Sequence, residues 1–434
     1  MGYKPTEMLL KSELQKKDFL KGEAPMKIVK LAYYDEFSCV GPKCIDSCCK
    51  HWVITLTKRE YFNYKKTDLS PELKAVADTA FFRIRNGNDL QYAGMKLKDN
   101  GDCPFLGDDS LCMLQKEKGE QALSFVCSIF PRINSRVGNE AFIYTCDITC
   151  PHVVELLIKH PEGLAVTEEE YKHDNPYIEK GFWSGEATSD QWKGRPYLWT
   201  IKGAQMDILQ NRAFTIPERM LILGFFCQKA NEYINRNEAE KINSLAGMML
   251  DNEMCRKIAG SLNAPQSEES AALKSIDIFS KMKYSVDNGN YSRVLKDLFE
   301  RAAESVGLDI KDLGKNSLNI NFNKGAYFKN LEVYRGIESQ RPYIIENLMV
   351  NLAFAQSLEH GIWLNYFELA VFYNIFKICI PAFLKENWDD TDLAAAITYS
   401  AKMVINSKLA RGKIAVDFID HNIFTLPYAA FLIN

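Results

Sequence analysis

Nine of the twelve cysteines fall between Cys39 and Cys150, and this crowding constrains the chain more than any other feature. In an oxidising compartment such a cluster would be a disulfide framework. In a reducing one it points to metal binding or thiol chemistry. The first thirty residues are rich in Lys and Glu and lack the apolar run of a signal peptide, so the expected location is the cytoplasm. The most apolar stretch, Tyr366–Leu384, is interrupted by Glu368, Asn374, Lys377 and Pro381. It is expected as a buried helix, and no membrane partner is expected. A net charge of −3 gives no support for a nucleic-acid partner.

The cysteines form three groups. The first reads Cys39-x4-Cys44-x3-Cys48-Cys49. The second holds Cys103-Pro, Cys112 and Cys127, the last shortly before Phe130-Pro131-Arg132. The third is Cys146-x3-Cys150-Pro151. Soft thiolates select zinc and iron–sulfur clusters, and four complete either site. The paired C-x2-C knuckles of a zinc ribbon are missing, which favours a cluster gathered from distant loops. The prolines after Cys103 and Cys150 resemble the proline that follows cluster ligands in ferredoxins. Cys48 and Cys49 are adjacent and point in different directions, so one can ligate while the other packs or serves a second site. Cys44-x3-Cys48 begins like a radical S-adenosylmethionine triplet, but His51 stands where the third cysteine would be, and the alternating βα pattern is absent. Zinc and metal-free thiols stay open as alternatives. His51, His152 and His160 read as packed or surface residues. Cys227, Cys255 and Cys379 read as buried core thiols.

The 434 residues suggest more than one unit. Residues 1–25 read as a polar lead-in, 26–160 as the cysteine-rich module, 161–196 as a Gly/Pro-rich linker and 197–434 as a helical domain. The expected fold class is mainly α, with a small mixed cysteine-rich N-terminal module containing a few short strands. Within the module, Thr57 reads as a helix N-cap and Ser70-Pro71 as a second helix start, with short strands within 91–98 and 140–146. Apolar periodicity then predicts helices at 197–210, 218–235, 237–252, 291–306, 341–359, 364–384, 391–407 and 413–424. Residues 260–290 read as polar, with a mobile loop.

At these residues the chain resembles the FliB-type flagellin lysine-N-methylases, and its N-terminal part resembles a broader group of zinc- or iron-chelating cysteine-rich domains. The resemblance rests on Phe37 to Trp52, Asp102 to Leu106, Leu111-Cys112, Ser124, Cys127, Phe130-Pro131-Arg132 and Cys150-Pro151. It extends weakly to 202–212, 217–226 and Glu346-Asn347-Leu348-x2-Asn351. Residue by residue, the cysteines matching the family pattern are Cys39, Cys44, Cys48, Cys49, Cys103, Cys112, Cys127 and Cys150. Cys146 is an addition of this chain, and Trp52 stands where the family commonly has a small residue.

The resemblance implies methyl transfer from S-adenosylmethionine to lysines of flagellin by an enzyme carrying an iron–sulfur cluster, of the 4Fe–4S type if cubane. Eight patterned cysteines exceed the four that one cubane needs. Composition and spacing by themselves argue only for metal, and a non-catalytic iron–sulfur or zinc protein with a helical partner-binding body is the competing reading. No dinucleotide-type glycine motif is present, and no residue identifies the catalytic base. Arg132 is the candidate cofactor-binding residue, able to pair a cofactor carboxylate or a structural one, and Arg212 has a similar balance. Asp99, Asp102, Asp108 and Asp109 read as turn residues. The aromatics at 197, 199, 363, 366, 373 and 388 read as core.

Overall fold

The structure is a computed structural model that describes residues 26–50, 54–171, 185–188, 192–262, 267–314, 317–358, 361–420 and 425–434. It is mainly helical, with the strands concentrated in the first half of the chain. Two hydrophobic cores organise it.

The larger core is built on helices. Its centre is Ile362–Phe383, the apolar stretch expected to be a buried helix. This helix has the length and composition to cross a membrane, yet 83% of its apolar window is buried inside the protein. Its polar side chains find partners there: Asn374 accepts from Ser275 Oγ at 2.5 Å, and Lys377 donates to the Ile433 carbonyl at 3.2 Å. Packed around it are Ile216–Asn235, Lys324–Gln340, Asp390–Ile405 and Leu426–Ile433. Most expected helices are present with shifted ends. The span 237–252 instead divides, into Lys241–Met248 and the start of Asn252–Leu262.

The polar reading of 260–290 is corrected. Residues Glu268–Asp287 form a twenty-residue helix, opened by Ser267 accepting from the Ser270 amide. Ala272, Ile276, Phe279, Met282 and Val286 recur at helical spacing and are all buried, a stripe that the surrounding charges obscure in a composition reading.

A five-stranded sheet joins this core. Its order is Val166–Glu170, Lys27–Leu31, Ala141–Cys146, Arg132–Val137, Gly185–Thr188. Lys27–Leu31 pairs parallel with Ala141–Cys146, which pairs antiparallel with Arg132–Val137. All six residues of Ala141–Cys146 are buried, as expected of a strand covered on both faces. The helix Pro342–Ala355 packs on Ala141–Cys146, and Pro151–Ile158 packs in turn on that helix.

The smaller core lies within 54–127. Three antiparallel strands of two or three residues, Thr55–Leu56, Ala93–Met95 and Phe81–Arg83, pack against two short helices. Thr57 opens Lys58–Lys66 with a capping box to Glu60, and Ser70 opens Pro71–Thr79. Both starts follow the cap residues read from the sequence. Tyr64 stacks on Phe81 and on Phe105, at 5.2 and 6.5 Å between ring centroids, and the two phenyl rings meet tilted at 5.9 Å.

Candidate functional site

Local backbone features place the cysteines. Cys112 and Cys150 are the N-cap residues of Met113–Lys118 and Pro151–Ile158. Cys127 lies in the short helix Phe125–Ile129, and its amide donates to the Ser124 cap at 3.3 Å. The loop from Cys39 to Cys49 links Phe37, in the larger core, to Cys49, which packs against the smaller one. The Cys49 carbonyl accepts from the Cys103 amide at 2.8 Å, and a β-bridge joins Lys50 to Asp102.

The eight patterned cysteines fall into two sets. Cys39, Cys44, Cys48 and Cys150 line one cavity of about 380 Å³. Cys103 is buried in the smaller core, Cys49, Cys112 and Cys127 pack against it, and Cys127 also neighbours Cys48. Cys48 and Cys49 are hydrogen-bonded neighbours on the boundary between the sets. That hydrogen bond pushes Cys48 up and holds Cys49 down at about 7, so the pair favours one thiolate at Cys49. Burial pushes Cys103, Cys127 and Cys150 up to about 12, against backbone amides at Cys103 and Cys150 and the Ser124 hydroxyl at Cys127. A bound cation would reverse that cost by favouring the thiolates.

The donor set suits soft metal. Among the described residues no three His, Cys, Asp or Glu side chains converge as a single metal ion requires. Four thiolates on zinc would each sit about 2.3 Å from the ion. Thiolates are the donor type that both zinc and iron–sulfur clusters take.

The cavity has a second wall that sequence reading missed. Helix Asp390–Ile405 brings Tyr399 and Lys402, and Asn406 follows it. Lys402 donates to the Asp46 carboxylate, tying this helix to the cysteine loop across 356 positions. Asp147 lies on the floor, where it accepts from the Thr149 amide and hydroxyl at 2.8 Å each, and burial raises its pKa. His152 also lines the cavity, with Nδ1 2.8 Å from Glu155. The spacing of 356 positions is why no local pattern could have flagged Lys402.

Other candidates are placed elsewhere. Arg132 does not line the cavity. Its Nη2 donates to the Phe37 carbonyl at 3.0 Å, and its guanidinium lies over the Tyr34 and Phe37 rings. Arg212 pairs with Glu346, its Nη2 2.8 Å from the carboxylate, and Arg219 reaches the other oxygen at 2.7 Å. Cys146 is fully buried at the end of its strand, and Cys227, Cys255 and Cys379 are core thiols. Asp109 pairs with Lys116 beside its turn. Tyr366 and Tyr373 are buried in the large core. The reading of His51 and Trp52 lies outside the described residues.

The weak Glu346-Asn347-x3-Asn351 motif has a clear structural purpose. Asn347 Nδ2 donates to the Leu157 and His160 carbonyls at 2.9 and 2.8 Å. Asn351 Nδ2 donates to the Cys146 carbonyl at 3.0 Å, and its Oδ1 accepts from Thr145 at 2.6 Å and from Tyr33. One polar face of helix Pro342–Ala355 thus fastens the strand and helix that flank Cys150 to the helical body.

The sequence profile of the FliB lysine N-methylase C-terminal domain matches residues 204–432, more than half of the chain. Lysine-N-methylase from Salmonella typhimurium (strain LT2) is 33% identical over 146 residues, covering 33% of this chain and 35% of that protein. The lysine-N-methylase of Salmonella choleraesuis matches to the same extent. Flagellar biosynthetic protein FliU from Salmonella muenchen is 32% identical over 143 residues, 33% of this chain and 83% of that protein. The chain therefore spans about a third of the length of the lysine-N-methylases it matches. No solved structure matches. With most of the helical body inside the domain match and FliU covered over four fifths of its length, the chain belongs to the FliB lysine N-methylase family.

Proposed function

We propose that this chain methylates lysine side chains of a protein, flagellin first among them, using S-adenosylmethionine at the cavity lined by Cys39, Cys44, Cys48 and Cys150. The observation that carries the reading is that cavity: four patterned thiols open onto about 380 Å³ of space, within the range of roughly 300–1,000 Å³ typical of small-molecule sites. The relatives, a lysine-N-methylase and a flagellar biosynthetic protein by name, support lysine as acceptor and a flagellar protein as its bearer. The same reading puts an iron–sulfur cluster on the four thiols and the protein in the cytoplasm, where thiols stay reduced.

When bound, S-adenosylmethionine supplies a sulfonium methyl: the lysine nitrogen forms the N–C bond as the C–S bond breaks, its electron pair staying on sulfur, and the amine gives up a proton. The chain's own work is positioning and desolvation. Phe37, Phe130, Leu295 and Leu298 give the cavity an apolar lining, which favours the neutral, nucleophilic amine. Asp147 and His152 are proton acceptors on the wall. The Asp46–Lys402 pair holds the cysteine loop against the helix opposite.

The test is spectroscopic. The cluster-loaded protein should change its electron paramagnetic resonance or visible spectrum when S-adenosylmethionine is added, and a Cys39→Ser/Cys150→Ser variant should lose that response. An unchanged spectrum under saturating S-adenosylmethionine would remove the cavity thiols from the reaction.

A further inference from the structure

We infer, resting on the proposed function for the methyl donor, that the chain methylates its own Lys402. A lysine amine already stands inside the cavity. Tyr399 and Lys402 on helix Asp390–Ile405, and Asn406 just past its end, follow one another at i, i+3 and i+7, so they share one face. All three line the cavity together with Cys39, Cys44, Cys48 and Cys150. The helix packs on Pro151–Ile158, whose N-cap is Cys150. The helical body thus presents a lysine to the thiols from within the same chain, as a protein substrate must from outside.

The amine is also held. Lys402 Nζ donates to the Asp46 carboxylate, and the two side chains are only 22% and 16% exposed. Asp147, on the cavity floor, is an electrostatic neighbour of Lys402. A lysine arriving on a substrate gives up its rotamer freedom on binding; Lys402 has given it up in the fold. A group fixed beside the reacting centre reacts as an intramolecular partner, with an advantage that no freely diffusing lysine has.

The transfer balances without an oxidant or reductant. The Lys402 ammonium gives one proton to water, and its nitrogen lone pair forms the N–C bond to the sulfonium methyl. The C–S bond breaks with its electron pair staying on sulfur, which leaves as a thioether. The methylated amine takes up the positive charge, so the cation opposite Asp46 is kept. One added methyl leaves two N–H groups on the nitrogen and two leave one. Either product can keep its bond to Asp46, so mono- and dimethyllysine are the expected forms.

The experiment maps methyl groups on both proteins after the iron- and sulfide-loaded full chain is incubated with flagellin and methyl-labelled S-adenosylmethionine. Digestion uses a protease that cuts at acidic residues, because methyllysine resists trypsin. One or two methyl groups on Lys402, labelled or already present in the chain as purified, are the expected result. Lys402→Arg, with folding verified by circular dichroism, should lose that modification from the chain. The labelled fraction at a fixed time should not change when the protein is diluted, as transfer within one chain requires. Unmodified Lys402 beside labelled flagellin overturns this inference and leaves the proposed function standing. Methyl groups on Lys50, the other lysine of the cavity wall, or scattered over exposed lysines, with Lys402 unmodified, overturn it too, and so does a labelled fraction that falls in proportion to dilution. No methyl group on either protein sinks the proposed function and this inference together.

Discussion

Replacing Asn351 with Leu keeps the volume and removes the amide that joins the two halves of the protein. Three groups lose a partner: the Cys146 carbonyl and the Thr145 and Tyr33 hydroxyls. Each buried group left unsatisfied costs about 1–3 kcal/mol. The two hydroxyls lie 3.4 Å apart and can partly satisfy each other, which brings the expected total to roughly 2–5 kcal/mol. Tyr33→Phe removes one oxygen that also accepts from the Cys146 amide at 3.1 Å. Because the residues share one network, the double variant should fall short of the sum of the singles by about 1 kcal/mol or more. Urea unfolding, followed by tryptophan fluorescence and far-ultraviolet circular dichroism with coincident transitions required, measures all three. A cost for Asn351→Leu below about 0.5 kcal/mol, or strict additivity, would refute the clamp.

The same assay should separate the arginines of the Glu346 site. Glu346→Ala strands the buried Arg219 and should cost about 3–5 kcal/mol, whereas Arg212, whose side chain is 44% exposed, should cost about 1 kcal/mol or less when cut to Ala. Equal losses would contradict the assignment. At His160, burial lowers the pKa, but the Glu162 and Glu36 carboxylates outweigh it, and the net shift is upward. Its contribution is therefore complete below about pH 6.5 and lost as pH rises through the folded value; His160→Gln should destabilise at about pH 5.5 and be neutral at about pH 9, and a uniform loss would point to packing instead. Lys402→Ala should raise hydrogen exchange across residues 39–49 and leave 54–127 protected; equal protection in both proteins would deny the Asp46 tether.

The helices were legible where apolar spacing is plain, as at 216–235 and 362–383, and the caps at Thr57 and Ser70 were legible because capping is a local interaction. The helix 268–287 was not, since its stripe lies among serines, lysines and acids that dominate a window average. The sheet was hidden for another reason: Lys27–Leu31 pairs with a strand more than a hundred residues away, and no local pattern carries that. The eight cysteines were visible at once, but not their division, because sets that interleave in sequence separate only once the Cys48–Cys49 boundary is folded. Lys402 was invisible for the same reason of distance.

The most direct test of the central claim is isotopic. Protein loaded with iron and sulfide is incubated with flagellin and S-adenosylmethionine labelled in its methyl group, and tryptic peptides of flagellin are analysed by mass spectrometry. Label on lysine side chains, abolished by Cys39→Ser/Cys150→Ser, is the predicted result. Flagellin free of label, with the metal content of the protein verified, would contradict it.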